Sequence, residues 1–159
     1  MTIQVGDTIP NVKLAKMGPE GPEDISTDDI FKGKNVIMFG VPGAFTPTCS
    51  AKHLPGFVEH AEAIKAKGVD SIVCISVNDV FVMGAWAQDQ GVNGKVMMIA
   101  DGSGKFAKAM GLELDLVERG MGIRNQRFSM RIEDGIVKML NVDDRIFEKT
   151  SAEFILSNL

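Results

Sequence analysis

The chain has 159 residues, 45% hydrophobic and 24% charged, and carries a formal net charge of −4. Residues 1–159 are long enough for one domain with a buried core, and the balance of residue types is that of a globular protein. The charges of both signs are interspersed, which excludes the basic stripe of a nucleic-acid surface, and no apolar run approaches the roughly 20 residues that span a membrane.

The N-terminus, Met1-Thr2-Ile3-Gln4-Val5-Gly6-Asp7, has neither a basic nor an apolar signal region, so no secretory leader is expected. Val12 to Ala15 alternates and reads as an edge strand. Gly18-Pro19-Glu20-Gly21-Pro22 is a turn cluster, which makes the opening a scaffold hairpin. Ser26 to Asp29, ahead of Ile30 and Phe31, starts a short helix that Gly33 stops.

Residues 35–41 form a core strand. A Pro/Gly-rich loop follows, and then a helix. Leu54, Phe57, Val58, Ala61 and Ile64 fall on one helical face, and Gly68 suits the end of that helix. Pro55 lies inside it and is expected to kink or divide it. Residues 69–77 are a β-branched run that fits a strand buried on both faces. Asn78-Asp79 caps a helix running to about Gln90 and carrying Trp86. Residues 96–100 are a third strand, and Asp101 to Ser103 opens a short helix ending at Gly111. Residues 112–126 carry no clear period, and Gly120 and Gly122 mark a loop. Residues 127–133 alternate, with Phe128, Met130 and Ile132 on one face. Asp134-Gly135 turns the chain into a return strand over 136–142. Thr150 to Glu153 begins a closing helix. Helices alternating with strands, followed by an antiparallel hairpin, predict an α/β protein with a mixed central sheet flanked by helices.

Cys49 sits where the helix after the loop begins. Unpaired N–H groups and the positive end of the helix dipole favour a thiolate there, and cysteines so placed are reactive. Ordinarily a lone cysteine is a small buried hydrophobe. Thr46 and Cys49 have the spacing of a CxxC pair, but threonine in the first place rules out a dithiol cycle at this site alone. Thr46 reads either as a turn hydroxyl or as a hydroxyl offered to a substrate, and Pro42 either as a plain turn proline or as a wall of a dry pocket. Spacing does not choose a cationic partner among Arg119, Arg124, Arg127, Arg131 and Arg145. Cys74, mid-strand, reads as an inert buried thiol or as a second redox cysteine. His53 and His60, two turns apart on one helix, read as solvated side chains. A metal there would need further ligands, and neither a metal nor a cofactor is expected. Two cysteines make no disulfide framework, which points to a reducing compartment, the cytoplasm.

Pro42-x-x-x-Thr46-x-x-Cys49 resembles the active-site signature of the peroxiredoxins. The longer run Gly40 to Cys49, with Lys52-His53-Leu54-Pro55-Gly56-Phe57, is similar to their type II (peroxiredoxin-5-like) subfamily. The likeness extends over Cys74 to Asp79, Phe81 to Met83, Ala100 to Gly102, Gly111 to Asp115 and Arg127 to Ser129. It implies a thioredoxin fold with an N-terminal β extension, and a peroxidase acting on hydrogen peroxide and alkyl hydroperoxides. Cys49 would be the nucleophile, passing through a sulfenic acid, with Thr46, Pro42 and Arg127 around it. Arg127 is the arginine that the resemblance selects. Some relatives carry a resolving cysteine near the C-terminus, whereas Phe147 to Leu159 has none. Reduction from outside by glutathione, glutaredoxin or thioredoxin is therefore expected, with Cys74 as the other candidate for resolving. The chain has no tyrosine, so the Tyr-Phe tail of the overoxidation-sensitive members is absent, and Gly120-Met121-Gly122 is not their Gly-Gly-Leu-Gly insertion. The resemblance also implies a homodimer. The rival functions are a peroxide sensor or redox-regulated binding protein without sustained turnover, and a thioredoxin-fold structural protein.

Overall fold

The computed structural model describes residues 2–144 and 146–159, so Arg145 lies outside the described residues. The chain opens with the hairpin β1 (Lys13–Gly18) and β2 (Gly21–Ser26), then α1 (Thr27–Phe31) and β3 (Asn35–Val41). After the Pro/Gly-rich loop comes a wide π-turn, Cys49–His53, then α2 (Leu54–Glu59) and α3 (Ala61–Ala66). Next come β4 (Ser71–Ser76), α4 (Val80–Asp89), β5 (Met97–Ala100) and α5 (Lys105–Met110). A small ribbon, β6 (Glu113–Leu116) and β7 (Gly122–Asn125), precedes the hairpin β8 (Arg127–Glu133) and β9 (Ile136–Asp143), and α6 (Ala152–Ser157) closes the chain.

Seven strands form one sheet in the order β2-β1-β5-β4-β3-β8-β9. β3, β4 and β5 are parallel, and antiparallel pairs flank them on both sides. This is the expected mixed sheet with an N-terminal extension. One detail differs: β1 lies inside the sheet, bonded to β5, and β2 takes the edge. An edge accommodates Pro22, which has no N–H to donate to a further strand.

The strand period places the core. Ile37, Phe39 and Val41 of β3, with Ile72 and Cys74 of β4, face the layer that holds Cys49, Leu54, Phe57 and Trp86. Val36, Met38, Val73 and Ile75 face the other layer, with Phe106, Phe128 and Met130. Gly40 has no side chain because a Cβ there would lie 2.1 Å from the Phe128 ring.

Local signals explain most boundaries. Ser26 and Asp29 make a reciprocal capping box on α1, and Asp79 and Ser151 cap α4 and α6. Asp134 and Gly135 have φ of 47° and 78°, as the two-residue hairpin turn requires. The helix from Asp101 starts later than expected, at Lys105. The Asp101 carboxylate caps it from outside, accepting the N–H groups of Phe106 and Ala107. The ribbon β6–β7 falls in the stretch where no period was readable. Its strands have four residues each, too few to show alternation.

The irregular helix around Pro55 is real, but its widening precedes the proline. The Leu54 N–H bonds to the Cys49 carbonyl, five residues back, and a second irregularity falls at His60. A proline ring clashes with the carbonyl four residues before it, and a wider turn at Cys49–His53 relieves that clash.

Candidate active site

The site is built where β3 ends. The chain passes through Pro42 and Gly43 and re-enters a helix, so that Cys49 sits in its first turn, directly over the sheet. The first intrahelical bond runs from the Ser50 N–H to the Thr46 carbonyl, at 3.0 Å. The amides of Thr48 and Cys49 precede that bond, and no partner for either is found among the described residues. Asn78, read as part of a cap, instead accepts the Ala44 N–H at 3.0 Å and ties this loop to the end of β4. Phe45 in the same loop has φ of 63°, a left-handed conformation unfavourable to a bulky residue. Trp86 of α4 donates its indole N–H to Ser50 at 3.0 Å and braces the helix from below.

Arg127, the first residue of β8, donates from Nη2 to Cys49 Sγ at 3.2 Å. Its Nη1 lies 2.7 Å from His53 Nδ1. A guanidinium only donates, so Nδ1 accepts, and the ring proton sits on Nε2, which donates to the Thr150 carbonyl at 2.9 Å. His53 is therefore neutral. Burial, with the Arg127 charge next, depresses its pKa to about 3. This corrects the reading of His53 as a solvated helix residue: it is fully buried, packed against Phe39, Phe57 and Phe147. A signal was available, because His53 lies four residues after Cys49 and four before Phe57, on the same helical face. His60, half-buried, lies 3.3 Å from Glu153 and has no part in the site.

The structure also separates the arginines. Arg131 pairs with Glu133, and Arg119 lies exposed on the 3₁₀ turn Val117–Arg119. Arg124 donates to the Met121 carbonyl at 2.8 Å and to the Pro42 carbonyl at 3.4 Å, fastening β7 to the active-site loop. No carboxylate lies within ion-pair distance of Arg127 among the described residues. Phe147 covers it, with the guanidinium carbon 5.8 Å from the ring centroid.

The Thr46 hydroxyl donates to the Gly43 carbonyl at 2.7 Å. In this arrangement its proton is engaged and its lone pairs are what it presents to an incoming O–H. A groove of about 890 Å³ opens above the site. Pro42, Thr48 and Arg127 line it, together with Leu114, Val117, Ile146 and Phe147. Cys49 lies beneath that floor, fully buried. Cys74 faces the same layer from β4 and is equally buried. Burial, followed by the charge of Cys49, pushes the Cys74 thiol well above the ordinary thiol range. No cluster of three or more His, Cys, Asp or Glu side chains among the described residues is arranged to hold a metal ion.

A thioredoxin-type mixed sheet with a cysteine at a helix start and a guanidinium on its sulfur defines a class: a thioredoxin-fold protein with a candidate cysteine redox site. Residues 4–156 match the Redoxin family model. The chain is 47% identical over 159 residues to peroxiredoxin-2C of Oryza sativa subsp. japonica, covering 99% of this chain and 98% of the relative. It is 46% identical to peroxiredoxin-2B of Arabidopsis thaliana with the same coverage. The crystal structure of reduced Prx3 in complex with hydrogen peroxide from Vibrio vulnificus superposes with a TM-score of 0.95 at 46% identity, covering 99% of both chains. The chain belongs to the Redoxin family and, within it, to the type II (peroxiredoxin-5-like) peroxiredoxins. It is a thiol-dependent peroxidase, and proteins of this kind act on peroxides and are reduced by thiol proteins.

Proposed function

We propose that Cys49 is the peroxidatic nucleophile and that Arg127, Thr46 and Pro42 complete its site. The observation that carries this reading is the Arg127 guanidinium bridging Cys49 Sγ at 3.2 Å and His53 Nδ1 at 2.7 Å. The thiolate attacks one peroxide oxygen. The S–O bond forms as the O–O bond breaks, sulfur loses two electrons to the peroxide, and the leaving oxygen takes a proton as water or alcohol. Charge moves from sulfur to oxygen. Arg127 and the first-turn amides are donors already aimed at that space, so they stabilise the transition state without reorganising. Thr46 orients the peroxide by accepting its O–H. Pro42, having no N–H, keeps one wall of the pocket dry.

The sulfenic acid is then returned to a thiol from outside. An external thiol attacks the sulfenic sulfur, forming a mixed disulfide and releasing water, and a second thiol frees Cys49. Glutathione with glutaredoxin is the proposed donor, with thioredoxin as the alternative. Phe147 to Leu159 contains no cysteine, and burial in the sheet pushes the Cys74 thiol well above the ordinary thiol range. Because Cys49 is buried, its turn must loosen for a thiol to reach it, and the widened turn at Cys49–His53 is where the helix yields most readily. We also propose a cytoplasmic location, from the sparse cysteine content, and a homodimer. Phe45 and Phe81 are 53% and 65% exposed, and the Ala44–Asn78 bond ties the loop of the first to the start of α4 that carries the second. A second copy would cover both.

The test is peroxide consumption by wild type, Cys49→Ser and Cys74→Ser, each supplied in turn with dithiothreitol, glutathione plus glutaredoxin, and thioredoxin with its reductase. Sustained turnover that is lost only in Cys49→Ser is expected. One oxidation per chain with every donor would overturn the reading in favour of a sensor.

A further inference from the structure

Arg127 and Asp143 are direct cross-strand partners at the open end of β8 and β9. Opposite charges so placed ordinarily pair. Here they do not: the Asp143 carboxylate turns away from Arg127 into the 148–150 turn. It accepts the N–H groups of Glu148 at 2.9 Å, Lys149 at 3.2 Å and Thr150 at 2.9 Å, and the Thr150 hydroxyl at 2.7 Å. Four donors on one carboxylate are enough to hold its pKa below the ordinary range, against the opposing effect of partial burial. The residue so gripped, Thr150, is fully buried, and its carbonyl receives the His53 Nε2–H at 2.9 Å. His53 in turn holds Arg127.

We propose that Asp143 is a positioning residue for peroxide reduction, acting through the Thr150 carbonyl and His53 to keep the Arg127 guanidinium on Cys49. The proposal rests on the reading of Cys49 as the nucleophile. Asp143 is on the lining of the groove, but its carboxylate oxygens are held by the 148–150 turn and no hydrogen bond joins it to the Cys49 sulfur. It has two effects. By fixing the Thr150 carbonyl it selects the His53 tautomer whose Nδ1 is an acceptor, the only form that can receive Arg127. By spending its own oxygens on the turn, it also leaves Arg127 without a carboxylate that would draw it away from the thiolate. Breaking the turn loses the first effect and reverses the second, since a freed carboxylate stands directly across the strand pair from Arg127. In chain order this network joins the helix of Cys49, the start of β8, the end of β9 and the turn before α6. It therefore belongs to no single motif.

The experiment compares wild type with Asp143→Asn and Asp143→Glu. Asparagine presents one oxygen and one NH₂ to the same donors, so it loses half of the acceptor set. Two readouts separate positioning from general damage. The first is the second-order rate constant of Cys49 oxidation by hydrogen peroxide, measured beside the rate at which dithiothreitol reduces the sulfenic acid. The second is the ¹⁵N spectrum of the His53 ring. For Asp143→Asn the oxidation constant is expected to fall, by less than the roughly 10²–10³ that outright loss of a preorganised donor costs. The reduction rate should hold, and the ring should shift from pure Nε2–H towards a mixture of tautomers. Asp143→Glu should recover part of both. If Asp143→Asn does not fold, Thr150→Val, which deletes one of the four bonds and no backbone donor, takes its place with the same readouts and a smaller expected loss. Unchanged oxidation kinetics with an unchanged His53 spectrum would overturn the proposal. So would oxidation and reduction rates that fall together while the tautomer stays put. If wild type itself fails to oxidise at Cys49, the nucleophile assignment is what has failed.

Discussion

Cys49 and Cys74 lie in one apolar cluster on the same face of the sheet, and both are fully buried free thiols. Only a thiolate attacks a sulfenic acid, and burial keeps Cys74 protonated. Cys74→Ser is therefore expected to keep its turnover with glutaredoxin while losing stability, because a hydroxyl buried without a partner costs about 1–3 kcal/mol. Peroxidase assays beside urea denaturation check both halves. Turnover that collapses with physiological donors but survives with dithiothreitol would make Cys74 a resolving residue.

Arg127 uses two separate nitrogens, one on sulfur and one on His53. Lysine offers a point charge without that fork. Removing one preorganised donor costs about 10²–10³ in rate, so Arg127→Ala should lose that much in kcat/KM for hydrogen peroxide, and Arg127→Lys should recover only part of it. Stopped-flow oxidation gives the number, and a lysine variant at wild-type rate would contradict the bridging role.

His53 is neutral in the fold, with a pKa of about 3 against 6.5 when free. Between those values the unfolded chain binds a proton that the folded chain refuses. Stability is therefore full above about pH 6.5 and falls as the pH drops towards 3, by roughly 1.4 kcal/mol per pH unit and 4–5 kcal/mol in all. Arg127 and Asp143 are the charged groups bearing on the ring, and they act in opposite directions. Asp143 adds its own loss only as the pH falls towards and below the free carboxylate value of 3.8, so above about pH 5 the slope belongs to His53 and not to Asp143. Urea unfolding at pH 7, 6 and 5 should show the slope in wild type and a shallower one in His53→Gln. Equal slopes would mean that His53 does not stay neutral in the fold.

At Gly40 a methyl group would sit 2.1 Å from a Phe128 ring atom, between two paired central strands. Neither strand can move aside, because each is bonded to a further neighbour. Gly40→Ala should cost about 1–3 kcal/mol or more, the usual cost of overpacking. A thermal melt showing no loss would indicate that the ring has another rotamer to occupy.

Residues 1–159 contain no tyrosine, and so no Tyr-Phe pair like that of the overoxidation-sensitive peroxiredoxins. Activity should survive peroxide doses that inactivate the sensitive peroxiredoxins. Mass spectrometry of Cys49 after graded exposure checks this, and sulfinic acid appearing at the doses that inactivate that class would contradict it.

By itself the sequence determined whatever depends on near neighbours. The alternation over 127–133, the β-branched run in β4, the caps at Ser26 and Asp79 and the Asp134-Gly135 turn all follow from backbone preferences within a few residues, and the closing helix reads with its cap one residue early, at Thr150 instead of Ser151. The Pro42–Cys49 motif is local too, since the loop, the helix start and the cysteine are contiguous. Other features were not readable, because each depends on a partner distant in the chain. β1 looked like an edge strand until β2 folded outside it. For His53 the i+4 spacing from Cys49 and to Phe57 hinted at an inward face, but its burial and its tautomer rest on Phe147 and Thr150, about a hundred residues away. Five arginines looked equivalent, and resemblance alone chose among them. Only the sheet register, which starts β8 beside the Cys49 helix, puts Arg127 on the sulfur. Asp143 carried no signal at all. Its role depends on which way its carboxylate turns, and that is decided by four donors that become available only once the tertiary fold has brought the 148–150 turn back against the end of β9.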